Sequence, residues 1–343
     1  MEIRQNTLYV TTQGAYVNRD HLTLRIEVSG ELKLAVPIHH LESVCLFGPV
    51  MISPQASQLC WENSVSVNCF SETGYFLGRW EGVHNTSVAL RRSQYRAADD
   101  PQKSLSVARQ CVAGKIQNTR QSLLRSGRES KNEEEKQKLQ NCANELENIL
   151  VELSKAKTAD AVRGHEGFAA NRYFEHFSLH FSQQRDLFLF TTRSRRPPLD
   201  NINCLISFLY ALLLHDCIAA LTATGLDPYV GFLHTERPAR PSLALDLMEE
   251  FRPLLTDRLA ITLINRKQIG PKDFLKREGG AVELTDSGRK EILKAWQTRK
   301  QDVVTHPLLD QECRVGHLML TQARILARHL RGDMPEYLPC VLR

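Results

Sequence analysis

Glu166 lies in a stretch whose apolar residues recur at helical spacing: Ala170, Tyr173, Phe174, Phe177 and Phe181. At 3.6 residues per turn it falls one turn before Ala170, on the face of Tyr173 and Phe177, where a greasy side chain belongs. Burying an ionised carboxylate alone costs on the order of several kcal/mol, so such a group is paired, neutralised or bound to a metal. Gly164 and Gly167 flank it, each costing a helix about 1 kcal/mol relative to alanine. Small residues beside a buried acid let another backbone or a ligand come close. A structural salt bridge with a nearby arginine explains the acid equally well.

A second polar cluster begins at Gly231-Phe-Leu-His234 and continues through a proline-rich stretch to Pro241-Ser242, which favours a helix start. Pro253 cannot sit inside the same regular helix. Leu243, Leu247, Met248 and Phe251 form the packed face, and Asp246 and Glu249, three apart, are neighbours on one side. Glu250 is also one turn from Asp246, so spacing does not choose between the two glutamates. An imidazole from a loop and carboxylates from two helices make a divalent-metal set, and an oxygen-rich site with one His suits Mg²⁺ or Mn²⁺ better than zinc. The competing reading makes Asp246, Glu249 and Glu250 a solvated helix face and His234 a core histidine at a loop end.

These groups must be held by two kinds of structure. At 343 residues the chain is too long for one ordinary core. Up to about residue 80 the pattern is β. Leu22, Leu24, Ile26 and Val28 alternate with polar residues, Ser29-Gly30-Glu31 turns the chain, and Leu32, Leu34, Val36 and Ile38 resume the alternation, which predicts a hairpin. Residues 7–11, 43–47, 65–70 and 76–80 read as further strands, and Ser53-Pro54 as a helix start. From about residue 90 the period is helical: over 105–124, again from Leu139 to Leu153, and over 201–224, which is apolar nearly all round and stops at Gly225. Residues 126–135 read as a polar, charged loop, and 287–300 and 313–330 as two more helices. The expected fold class is α+β: a small N-terminal β-sheet or sandwich domain, residues 1–90, followed by a larger all-α domain, residues 91–343, that carries the metal site.

Composition narrows the setting. Hydrophobic content of 42% and charged content of 24% are those of an ordinary globular protein. No run approaches the ~20 apolar residues of a membrane span, and the start of the chain lacks a signal-peptide pattern. Nine cysteines without a C-x-x-C pair indicate neither disulfide framework nor zinc ribbon, so a reduced cytoplasmic compartment is expected. The net charge of +5 suits a polyanionic partner without requiring one.

The string from Gly225 to His234 (GLDPYVGFLH), followed by Arg240 to Pro253 (RPSLALDLMEEFRP), resembles the CRISPR adaptation integrase family. Those metal-dependent DNA nucleases insert new spacers into CRISPR arrays, an antiviral defence. Gly164-His-Glu-Gly167 with Tyr173-Phe174 is similar to the family's first acidic motif, and Arg195-Arg-Pro-Pro-Leu-Asp-Asn-Ile-Asn203 to its second. Leu8-Tyr-Val and Ile52-Ser53 through Gly74 are similar to its β domain, so the likeness covers essentially the whole chain in order. The resemblance implies that Glu166, His234 and Glu249 ligate Mg²⁺ or Mn²⁺, with Asp246 a supporting acid. Glu249 stands where some members carry Asp, and Cys340 where an aromatic residue is common. It also implies a homodimer built through the β domains, with two dimers bridged by the small second CRISPR-associated adaptation protein.

On that reading a DNA 3′-hydroxyl attacks a phosphodiester polarised by the metal, and water as attacker gives endonuclease activity. Double-stranded and branched DNA are the expected substrates. The expected phosphate contacts are Arg91, Arg92 and Arg96, then Arg193, Arg195 and Arg196, then Arg237, Arg240 and Lys267. Two other readings compete: a catalytically silent DNA-binding scaffold, and a metallophosphoesterase acting on a small substrate. Under the ligand assignment, Glu250→Ala is expected to leave most of the turnover.

Overall fold

The computed structural model describes residues 6–72, 74, 76–80, 82, 88–194 and 196–342. These fall into two units: one gathers the described residues up to 82 with 289–302, and the other holds 88–288 and 303–342.

In the first unit the chain runs β1 (Asn6–Val10), β2 (Tyr16–Asp20), β3 (Thr23–Val28), β4 (Glu31–Pro37), β5 (Leu41–Phe47), β6 (Met51–Ile52), α1 (Pro54–Glu62), β7 (Ser66–Phe70) and β8 (Phe76–Trp80). Two four-stranded sheets result, with strand orders β4-β3-β2-β6 and β1-β5-β7-β8. The β3–β4 hairpin turns at Ser29 and Gly30, whose φ of 53° and 80° are the doubly positive pair that a tight hairpin needs. Leu24 and Ile26 on β3 are buried with Val17, Val44 and Val67, whereas Leu32 and Leu34 on the edge strand β4 stay exposed. Ser53 Oγ accepts from Ala56 N at 3.1 Å and Pro54 opens α1, as the sequence predicts.

The second unit continues with α2 (Val88–Asp99), α3 (Pro101–Glu129), α4 (Glu133–Ser154), α5 (Ala159–Glu175), α6 (Asn201–Thr224), α7 (Ser242–Glu249) and α8 (Arg258–Asn265). A hairpin of β9 (Phe274–Lys276) and β10 (Val282–Leu284) follows; after α9 (Asp286–Gln301), which from residue 289 belongs to the first unit, the second unit resumes with a hairpin of β11 (Val303–His306) and β12 (Gln311–Arg314) and ends with α10 (Leu318–Arg331). The α+β class and the order of a β part before a larger helical part are as expected. The loop expected over 126–135 is reduced to residues 130–132: α3 runs to Glu129 and α4 starts at Glu133. Asn132 Oδ1 accepts from Glu134 N at 2.9 Å, and the acidic first turn of α4 suits the positive end of a helix. The charges that looked like a solvated loop are two helix ends. Likewise Cys313 belongs to β12, and the last helix starts only at Leu318.

α6 is capped by Asp200, whose Oδ1 accepts from Asn203 N at 2.7 Å, and closed by Gly225 in the left-handed region. By length and composition it could cross a bilayer, but 67% of its most apolar window is buried inside the protein, as in a core helix.

His180 ends the short turn Phe177–His180 against Tyr173 and Phe177, with Nδ1 2.7 Å from Ser126 Oγ. Burial, with a smaller effect from His176, pushes its pKa down to about 3. The unfolded chain therefore takes up this proton first. The neutral imidazole's contribution is complete above pH ~6.5 and is lost towards pH 3 at about 1.4 kcal/mol per unit. His180→Gln should flatten the fall of Tm between pH 6 and pH 4, and an unchanged slope would show that another group controls it.

Candidate metal centre

All the candidate ligands lie in the second unit. Gln94, buried on α2, donates to Asp227 O at 2.7 Å and Val230 O at 2.8 Å and accepts from Asp227 N at 2.9 Å. It thereby holds the loop that leads to His234. Pro228 O accepts the amide of Leu243 at 3.0 Å, which ties the same loop to the start of α7. At their crossing only glycine fits: a Cβ on Gly231 would stand 2.7 Å from Asp246 Oδ2 and 2.8 Å from the Ser242 carbonyl carbon.

That close approach lets Asp246 collect four N–H groups. Its Oδ2 accepts from Phe232 N at 2.6 Å and Leu233 N at 3.0 Å, and its Oδ1 from His234 N at 3.0 Å and His234 Nδ1 at 2.7 Å. A carboxylate only accepts, so Nδ1 carries the proton and Nε2 presents a lone pair. Arg163, on α5, donates to Leu233 O at 2.9 Å and so brings the helix of Glu166 to the same loop.

Glu249 is buried, 1% exposed, and faces two positive groups and an imidazole. Arg252 Nη1 stands 2.7 Å from Oε1, His234 Nε2 3.6 Å from Oε1 and Lys115 Nζ 2.7 Å from Oε2. Although Lys115 is at ion-pair distance, Oε2 accepts no hydrogen bond of good geometry. Burial raises the pKa of Glu249 most, but Arg252, Lys115 and His234 together outweigh it and hold the carboxyl at about 2. Lys115, on α3, also pairs with Glu166 Oε1 on α5. Its ammonium thus stands between acids from two helices, where a bridging cation belongs. Among the described residues no three His, Cys, Asp or Glu side chains converge to coordination geometry. The charge between the two carboxylates is the lysine's. Two carboxylates and one imidazole remain a donor set that fits a hard divalent cation.

Several expectations change here. Glu166 is only partly covered, with 25% of its side chain exposed, whereas Asp246, Glu249 and Glu250 are fully buried. A Cβ on Gly164 or Gly167 would meet nothing within 4 Å, so these glycines admit no neighbouring backbone. The solvated-face reading of Asp246, Glu249 and Glu250 fails, because all three are buried. Glu250 turns away from the site: Oε1 accepts from Tyr337 Oη at 2.5 Å, Oε2 from Cys340 N at 2.5 Å, and Gln322 Nε2 lies 3.3 Å from Oε2. Position 340 therefore matters through its backbone amide. Past Glu249 the helix widens into a π-helical segment, Arg252–Asp257, with Pro253 in its first turn, and this aims Arg252 back at Glu249 over the Tyr210 ring.

A family model described as CRISPR associated protein Cas1 matches residues 8–298. CRISPR-associated endonuclease Cas1 1 of Moorella thermoacetica is 47% identical over 343 residues, 100% of each chain. The chain belongs to the Cas1 family. A protein of the same description from Chlorobaculum tepidum is 42% identical, again over 100% of both chains. Two solved structures show the same fold. A Cas1 protein from Thermotoga maritima has a TM-score of 0.83 at 24% identity, covering 98% of this chain and 100% of that one. A casposase bound to integration product has a TM-score of 0.83 at 23% identity, covering 98% of this chain and 93% of that one.

In this Cas1-family chain the candidate DNA contacts divide. Arg92, Arg96, Arg196, Arg237 and Lys267 are exposed, and Arg240 is partly so. Arg91 is half-buried and donates to Gly225 O at 3.3 Å. Arg193 is engaged internally, with Nη1 2.6 Å from Asn203 Oδ1 and the guanidinium over Tyr210, so it braces the start of α6. Arg195 lies outside the described residues. The sequence reading did not single out Lys115 or Arg252 for a role. A signal for Lys115 exists: it sits beside Ile116 on a helix face with Val107, Ala108, Cys111, Val112 and Leu123, all buried, where a lysine needs an acidic partner.

Proposed function

We propose that this Cas1-family protein is a divalent-metal-dependent DNA endonuclease and integrase that inserts short foreign DNA fragments into a CRISPR array. The observation that carries the reading is that Glu166 and Glu249, from two helices, share one ammonium, while His234 Nε2 from a loop stands 3.6 Å from the other oxygen of Glu249. Whole-length identity of 47% to a relative named as an endonuclease supports it. Mg²⁺ or Mn²⁺ would be held by Glu166, His234 and Glu249, and when bound would supply Lewis-acid charge at a phosphate oxygen.

The protein's own residues do the rest. Asp246 fixes the His234 tautomer so that Nε2 faces Glu249. Arg252 keeps Glu249 ionised while it is buried. A DNA 3′-hydroxyl gives up its proton and attacks a phosphodiester in line, forming a new P–O bond as the bond to the 3′-oxygen of the interrupted strand breaks and that oxygen leaves as a hydroxyl; water as attacker gives cleavage. No Ser, Cys or Tyr nucleophile is needed. Exposed Arg92, Arg96, Arg196, Arg237 and Lys267 supply phosphate contacts that position double-stranded or branched DNA without reading its sequence. In the first unit, exposed Leu22, Leu32 and Leu34 on and beside an edge strand support a homodimer through the β domain. The second CRISPR-associated adaptation protein is the proposed heterologous partner, and the cytoplasm the proposed compartment.

Incubation of the full chain with branched DNA and Mg²⁺ or Mn²⁺ tests this. Metal-dependent joined or cleaved strands are expected. DNA binding without product would leave a silent scaffold. Turnover of small phosphoesters with indifference to DNA would leave a metallophosphoesterase.

A further inference from the structure

We propose that Lys115 is the resident counter-cation of this site: its ammonium holds the metal's place between Glu166 and Glu249 in the metal-free protein and moves to a DNA phosphate when a divalent cation enters. The proposal rests on the metal-site reading above and adds how the site is kept assembled and loaded.

Lys115 is sunk along α3 with 12% of its side chain exposed, and its Nζ reaches both Glu166 Oε1 and Glu249 Oε2. Glu249 is 1% exposed, so without a charge at Oε2 it would be an incompletely compensated buried anion repelling Glu166. Arg252 does not replace the lysine, because it pairs with the other oxygen, Oε1. A Mg²⁺ or Mn²⁺ ion stands ~2.1 Å from its carboxylate oxygens. An ion touching the two oxygens that now share one ammonium must occupy the volume of that ammonium. The two cations exclude each other.

Charge balance says where Lys115 goes. Asp246, Glu166, Glu249 and the buried Asp257 face Lys115, Arg252 and Arg193, which leaves one net negative charge with a neutral imidazole. A divalent ion turns that into one net positive charge, and the single charge of a phosphodiester cancels it. The lysine stem is long and flexible and its head has three donors, so it can re-aim without moving α3. Metal and DNA then favour each other's binding, and the coupling is reciprocal.

The test is Mn²⁺ affinity, measured by electron paramagnetic resonance on the full chain, with and without branched DNA in the cold before turnover. Without DNA, Lys115→Met should bind Mn²⁺ about tenfold more tightly than the parent, while Lys115→Arg stays near the parent. DNA should tighten Mn²⁺ binding in the parent and lose that effect in Lys115→Met. Equal or weaker Mn²⁺ binding by Lys115→Met, or an undiminished DNA effect, overturns the proposal. Should Lys115→Met fail to fold, crystals of the parent soaked in Mn²⁺ decide. An anomalous peak among Glu166, His234 and Glu249 with Nζ withdrawn supports the exchange. The same peak with Nζ still bridging the acids overturns it. No peak among those residues overturns the metal-site reading itself.

Discussion

Glu166→Ala should leave the protein folded and able to bind DNA while lowering strand transfer by about 10³-fold or more. The size follows from its place: losing one of three proposed ligands withdraws charge where the phosphate must be polarised, and a thousandfold loss corresponds to ~4 kcal/mol of barrier. The mildness towards folding follows from exposure. With 25% of its side chain open to solvent, the residue can be truncated without leaving a sealed cavity. Its partner Lys115 keeps Glu249. Branched-DNA joining, a binding isotherm and a melting curve on one preparation separate the effects. Activity within tenfold of the parent, at equal DNA binding, would remove Glu166 from the ligand set.

Glu250→Ala should lower stability by roughly 3–5 kcal/mol, because it leaves buried neutral donors unsatisfied at about 1–3 kcal/mol each. In a helical unit of this size that lowers Tm by roughly 10 °C or more. The truncation strips the acceptors from Tyr337 Oη and Cys340 N and weakens the hold on Gln322, all buried around it. The ligand set that the family resemblance implies leaves Glu250 without a role. Its burial instead makes it the anchor of the C-terminal segment, next in the chain to the proposed ligand Glu249. The two roles separate by temperature. Near-parent turnover per folded molecule in the cold, with early melting, marks an anchor, whereas turnover lost in fully folded protein would mark a ligand.

Buried Asp246 and half-buried Lys115 teach a related lesson about reading helices. Both sit on faces that also carry buried apolar residues, and both are tolerated because their polar atoms are engaged: four N–H groups on Asp246, two carboxylates on Lys115. Apolar periodicity locates such helices but says nothing about what satisfies the exceptions.

Local pattern alone determined a good deal. Alternation around Ser29-Gly30 specified the β3–β4 hairpin, Ser53-Pro54 the start of α1, and the unbroken apolar run before Gly225 the core helix α6, because these depend on neighbours in the chain. The likeness of residues 225–253 to a family was legible for the same reason. What spacing left open was decided by tertiary contacts. Asp246, Glu249 and Glu250 differ by about a turn or less, and which glutamate faces the proposed metal position depends on Lys115 and Tyr337, which approach from distant segments, and on Arg252, which the π-helical turn aims back. The polar stretch over 126–135 became two helix ends because helices of this length are stabilised by packing against each other, which no local composition records. Lys115 and Glu166 are 51 residues apart in the chain and meet only once α3 and α5 lie side by side.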